Sequence, residues 1–189
     1  MTYRRLASRR LSCLSPFTLT FTLTLGLTVL AGAPPEPTKL GRPFLCADYG
    51  AARVRLVNAE GRIEWGVPAP GPQDVWMLPN GNILHSYVKG AREITREKKV
   101  VWEHKTAPAN EVHACQPLAD GVVMVAESGP CRIIEVSREG KILKEVPLTT
   151  ACKNAHGQMR GARKLPSGNY LVGQYSDGAV REYDPSGKI

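Results

Sequence analysis

The chain has 189 residues, 42% hydrophobic and 22% charged, with a formal net charge of +8. Four of those charges belong to Arg4, Arg5, Arg9 and Arg10, so the rest of the chain carries only +4, and its basic residues alternate with acids. That balance excludes a basic nucleic-acid footprint.

The first residues read as a targeting segment. A basic start with no acid leads into the apolar, Thr-rich run from Phe17 to Leu30, and Ala31-Gly32-Ala33 supplies small residues. This is the layout of a secretory signal peptide over 1–33, and the run is too short for a membrane span of about 20 apolar residues. The expected location is therefore periplasmic, cell-surface or secreted, with membrane contact only in transit. Ser8-Arg9-Arg10 also fits a twin-arginine signal, which leaves the export route open. Cys13 precedes the apolar run and is misplaced for a lipoprotein cysteine. Residues 34–43, opening with Pro34-Pro35-Glu36-Pro37, form a short stiff linker.

From Phe44 onward one pattern recurs. Leu78, Leu118 and Leu165 mark equivalent points, 40 and 47 residues apart. A turn follows each: Pro79-Asn80-Gly81-Asn82, Ala119-Asp120-Gly121 and Pro166-Ser167-Gly168-Asn169. These residue types tolerate the positive φ of tight hairpins. An apolar strand comes next, then a polar or Gly-bearing loop, then a strand with period-two alternation such as Arg132 to Val136. A second Gly turn (Glu60-Gly61, Glu139-Gly140, Ser186-Gly187) leads to a final strand, as in Arg62 to Trp65. No stretch keeps helical periodicity for three turns. Four short antiparallel strands at a period near 40 predict an all-β fold, a β-propeller of four-stranded blades. The blades fall near 44–67, 72–105, 111–147 and 158–189, about three and a half in all. Closed rings use about 4 to 8 blades, so the chain is expected to be a piece of a longer propeller, or else a half-ring that closes as a homodimer.

Three segments carry a family resemblance. "CADYGAARVRLVNAEGRI", "VAESGPCRIIEVSREGKI" and "GQYSDGAVREYDPSGKI" resemble NHL-type propeller repeats, with "SYVKGAREITREKKVVWEH" departing most. Trp65 and Trp102 in "GRIEW" and "KKVVW" are similar to the blade-end tryptophans of quinoprotein-like propellers, and "LPNGNIL" is similar to arylsulfotransferase propellers. The resemblance implies the architecture. It leaves the activity open between binding scaffold and enzyme.

The strand plan places candidate site residues on one face. Gln73, His113 and Arg160 each stand five residues before a marker leucine, near the mouth of the central channel. His156 lies in the connection that holds the seven extra residues of the third spacing, and longer loops often carry function. Asp48, Glu127 and Asp177 end the second strands of their blades on the same face, and Trp76 offers a ring beside them. These eight residues form the expected ligand site. Arginine forks onto sulfate or carboxylate, and imidazole shuttles a proton. The expected partner is a small anionic molecule, a glycan or a peptide. His113, His156 and Arg160 are the catalytic candidates if the propeller is an enzyme: a sulfotransferase-like reading makes one histidine the nucleophile and Arg160 the charge stabiliser. A quinoprotein-like reading needs pyrroloquinoline quinone (PQQ) with Ca²⁺, for which no Asp/Asn cluster is present. No metal motif is legible otherwise, since no Cys-x-x-Cys occurs. His85 and His104 fall in outer strands and receive no role. The run Arg92 to Lys99 reads as a solvated hairpin. Of the four body cysteines, Cys131 and Cys152 are expected to pair as a disulfide stapling the long loop; the alternative is that Cys46, Cys115, Cys131 and Cys152 all stay free.

Overall fold

The computed structural model describes residues 41–189; the expected signal peptide and most of the linker lie outside the described residues. Among the described residues, fourteen strands form four antiparallel sheets, each a simple meander. The first holds β1 (Phe44–Asp48), β2 (Arg53–Val57) and β3 (Ile63–Pro68). The second holds β4 (Val75–Met77), β5 (Ile83–Tyr87), β6 (Gly90–Ile94) and β7 (Val100–Lys105). β8 (Glu111–Pro117), β9 (Val123–Ser128), β10 (Arg132–Val136) and β11 (Ile142–Pro147) make the third. β12 (Gly161–Lys164), β13 (Tyr170–Gln174) and β14 (Ala179–Tyr183) make the fourth. The architecture is a β-propeller of four-stranded blades, with about three and a half blades among the described residues.

The turns repeat from blade to blade at atomic level. Between the first two strands of a blade, the marker leucine N–H donates to the residue four positions on: Leu78 to Asn82, Leu118 to Val122, Leu165 to Asn169. Gly81, Gly121 and Gly168 take positive φ there, a conformation in which a Cβ is strained. After the third strand of each blade, Asn58, Thr95, Ser137 and Asp184 close the same type of turn, onto Arg62, Lys99, Lys141 and Lys188. Their side-chain oxygens accept from backbone N–H groups inside each turn. β2, β6 and β10 also share a register shift at the same place, before Val57, Ile94 and Val136.

Alternation along each strand builds the core between blades, because successive side chains point to opposite faces. Ile83 packs back on the first blade with Val54, Trp65 and Ile94. Its neighbour Leu84 packs forward, with Trp102, Val123, Val125 and Ile134. Met124, Ala126 and Ile133 turn the other way, onto Tyr170, Val172 and Tyr183. Every residue of β9 is consequently buried. Each fully buried Val, Leu or Ile contributes roughly 1.5–3 kcal/mol, so the inter-blade seams hold the fold.

Two expectations need correction. The Cys131–Cys152 disulfide is not formed, and all four body cysteines are free thiols. Cys131 is instead a buried member of the core cluster with Ile133, Val146 and Leu148, while the Cys152 thiol donates to the Asn154 carbonyl at 3.4 Å. The hairpin around Arg92 to Lys99 is present, but Glu93 within it is buried. Arg138 binds that carboxylate at 2.5 Å and Asn82 at 2.6 Å. A short helical turn, α1 (Ala155–Gln158), interrupts the long connection before β12. Asn154 caps it, its side chain accepting from the His156 N–H at 2.9 Å.

Candidate functional site

The loop Leu148–Arg160 is pinned on both sides. Gln158 is buried and accepts from Gly129 N–H at 2.6 Å, in the turn between β9 and β10. The Gly157 carbonyl accepts from Ser176 N–H at 3.0 Å, in the next blade's equivalent turn. Arg160 N–H donates to the Gly173 carbonyl at 3.0 Å. These anchors fix where His156 and Arg160 emerge.

They emerge into a recess of about 400 Å³ lined by Ala47, Tyr49, Pro72, Gln73, His156 and Arg160. The lining comes from the first blade, the approach to the second and the approach to the fourth, so the recess lies where the blades converge. Of the residues expected from sequence, Gln73, His156 and Arg160 meet there. His113 lies just behind them on β8 and is 1% exposed.

Glu111 joins the two histidines. Its Oε2 lies 2.8 Å from His113 Nε2 and 2.9 Å from His156 Nδ1. The rings stand edge to face, with centroids 5.6 Å apart. Burial alone would push the Glu111 carboxyl up, but its hydrogen bonds with His156 and His113 outweigh that and hold it below the usual carboxylate range. On its other side His113 Nδ1 is 2.5 Å from the Met159 carbonyl. The same Nδ1 lies 2.9 Å from Nη1 of Arg160, so it faces both an acceptor and a donor. Arg160 completes the group. Its Nη1 bonds the His156 carbonyl and reaches the Met159 carbonyl at 3.2 Å, and its guanidinium lies over the Tyr175 ring, 4.7 Å from the centroid. Among the described residues, Nη2 of Arg160 has no protein acceptor.

The other expected residues do not join this group. Asp48 pairs with Arg55 at 3.0 Å, Glu127 with Arg132 at 2.7 Å, and Asp177 with Arg181 at 2.7 Å. Each is an acid at the end of a blade's second strand held by an arginine from its third, a repeated strut rather than a ligand group. Trp76 donates its indole N–H to the Cys115 carbonyl at 2.6 Å, and Arg163 covers its ring. Glu111 and the two tyrosines, Tyr49 and Tyr175, were missed. Glu111-Val112-His113 carried a signal: two positions apart on a strand places both side chains on one face.

These features define the chain as a β-propeller with a polar, histidine-bearing recess at the convergence of its blades. No protein-family model and no curated protein matches the sequence. Among solved structures, it is similar to a protein of unknown function from Bacteroides caccae, at 32% identity and a TM-score of 0.70, over 76% of this chain and 54% of that one. A streptogramin B lyase matches at 12% identity and a TM-score of 0.56, over 76% of this chain and 51% of that one. A catalytically inactive His-to-Ala variant of virginiamycin B lyase from Staphylococcus aureus, solved with quinupristin, matches at 13% identity and a TM-score of 0.52, over 78% and 57%. The chain spans about half the length of these structures. At such identities the lyases show the shared fold alone.

Proposed function

We propose that this chain belongs to an exported β-propeller that binds a small anionic ligand in the recess between its blades. The observation that supports it most is Arg160. Its Nη1 is tied to loop carbonyls and its plane rests on Tyr175, which leaves a positioned, partly exposed guanidinium facing a concave site. Guanidinium recognises carboxylate or sulfate through paired N–H donors. His156, Gln73 and Tyr49 add donors around it. The test is a thermal-shift and calorimetric titration of the chain with sulfate and simple mono- and dicarboxylates. An Arg160→Gln variant should lose the response; an equal response in that variant overturns the reading.

A second reading, catalysis, is favoured by the hydrogen bond between His156 and Glu111. With Nδ1–H donated to the carboxylate, His156 presents Nε2 as a lone pair, the arrangement of an oriented general base. The inactive His-to-Ala lyase is a propeller in which one histidine is essential. A sulfotransferase-like reaction would use the same atom as nucleophile, with Arg160 on the transferred group. The quinoprotein-like alternative has no comparable observation here. A His156→Ala variant that binds anion normally but loses turnover of an activated aryl sulfate would select catalysis.

A further inference from the structure

We propose that Glu111, His113 and His156 form a site for one divalent first-row transition-metal ion. One ligand atom from each lies within 4.8 Å of the other two. Two come from β8 and the third from α1, so strand and loop must both be in place to assemble the site.

The surroundings of His113 suit a ligating imidazole. Its Nδ1 is held between the Met159 carbonyl at 2.5 Å and Nη1 of Arg160 at 2.9 Å. Its Nε2 faces Glu111 Oε2 at 2.8 Å. A metal ion bound there takes the place of the proton between Nε2 and Oε2 and is held by both atoms.

The geometry fits the ion as well. Metal–ligand bonds to imidazole and carboxylate run about 2.0–2.2 Å, so adjacent ligand atoms stand about 2.9 Å apart at octahedral right angles and about 3.4 Å apart in a tetrahedron. The observed separations from Glu111 Oε2 are 2.8 Å to His113 Nε2 and 2.9 Å to His156 Nδ1. Both contacts have the length of octahedral edges, and a tetrahedral ion needs them to open by about 0.5 Å. The bond from His113 Nδ1 to a backbone carbonyl is the usual way a ligating histidine is held in tautomer and orientation. Two imidazoles and one carboxylate suit Zn²⁺, Mn²⁺, Fe²⁺, Co²⁺ or Ni²⁺, whereas Ca²⁺ takes oxygen ligands throughout. Three protein ligands leave positions open, and His156, at 49% side-chain exposure, puts them on the side of the recess. An anion held by Arg160 would then have a metal beside it.

The metal site stands without the anion reading, because it is measured with the metal alone. Zn²⁺ titrated into the chain by calorimetry should bind at one equivalent. Glu111→Gln and His156→Ala should each weaken it at least tenfold, with the far-ultraviolet dichroism of both unchanged. His104→Gln, in another blade, should leave binding intact. Co²⁺ should give visible d–d absorption with no sulfur-to-cobalt charge-transfer band. Absence of a one-equivalent site overturns the proposal. So does binding that survives both substitutions, or a charge-transfer band assigning the metal to the free thiols.

Discussion

Arg163 on β12 grips Asp74, 89 residues earlier in the chain, with Nη1 at 2.7 Å from Oδ2 and Nη2 at 3.0 Å from Oδ1. Cys115 N–H on β8 donates to the same Oδ2 at 3.2 Å. One buried carboxylate thus ties the second, third and fourth blades together, and Arg163 also lies 5.0 Å from the centroid of Trp76. Bidentate arginine–carboxylate pairs have both strength and fixed geometry.

Asp74→Asn should therefore destabilise the chain by about 2 kcal/mol, because a neutral amide turns an N–H toward Arg163 or toward the Cys115 N–H. Arg163 is 43% exposed and regains water, which keeps the loss below that of a fully buried pair. Urea unfolding checks this: the midpoint should fall while the slope stays constant. An unchanged midpoint would mean the pair does not join the blades energetically.

The blade pattern was legible because it is local. Leu78, Leu118 and Leu165 with their glycine turns fix hairpins, and alternation fixes which side chains face which neighbour. What bound Asp74 to Arg163 was not legible, since a contact across two blades leaves no local spacing in the chain. The candidate site was legible by halves. Gln73, His113 and Arg160 followed from blade equivalence, and His156 from the extra loop residues. Asp48, Glu127 and Asp177 were equivalent too, but equivalence could not reveal that Arg55, Arg132 and Arg181 neutralise them. Cys131 has positive φ before Arg132, where Gly178 stands before Ala179 in the fourth blade. The turn, rather than a disulfide, governs that position.

Acid should unfold the chain in two stages. His85 is fully buried, and its burial holds its pKa down to about 4. Unfolded, it titrates near 6.5. Between those values the unfolded chain binds a proton that the folded chain does not, so stability falls as pH drops from 6.5 to about 4, by at most about 3 kcal/mol. Glu127 acts lower. Burial pushes it up, but hydrogen bonds with His104 and Arg132 outweigh that and hold it at about 2. Its contribution is complete above its unfolded value of 4.5 and is lost as pH falls toward 2. Chemical denaturation at stepped pH should show both limbs, and His85→Asn should flatten the first only. A single limb below pH 4.5 would refute the assignment to His85.

Gly157 sits where a side chain has no room. An added Cβ would meet Ser176 Oγ, and would lie 2.9 Å from Cys152 Sγ. Gly157→Ala must shift α1 or its neighbours, at a cost of about 1–3 kcal/mol. Because His156 is adjacent, the same substitution should weaken whatever binds the recess. Paired melting and titration data decide it: a lower melting point with full affinity would show that the loop yields away from the site.

Two tryptophans test whether the blades are energetically equivalent. Trp65 donates its indole N–H to the Arg96 carbonyl at 2.7 Å, and Trp102 donates to the Ser137 carbonyl at 3.0 Å. Arg96 and Arg138 lie over the two rings, at 5.7 and 5.8 Å from their centroids. In each case the last strand of one blade is tied to the turn between the third and fourth strands of the next. Phenylalanine keeps most of the ring and its packing but removes the donor, leaving a carbonyl without its partner. Trp65→Phe and Trp102→Phe should each cost about 1–2 kcal/mol. The two bonds share no partner and belong to different seams, so the double variant should lose the sum within about 0.5 kcal/mol. Denaturant unfolding of the two single variants and the double variant measures this. A double variant less impaired than the sum would mean that opening one seam already loosens the next, and the blades would then unfold as one coupled unit rather than as independent contacts.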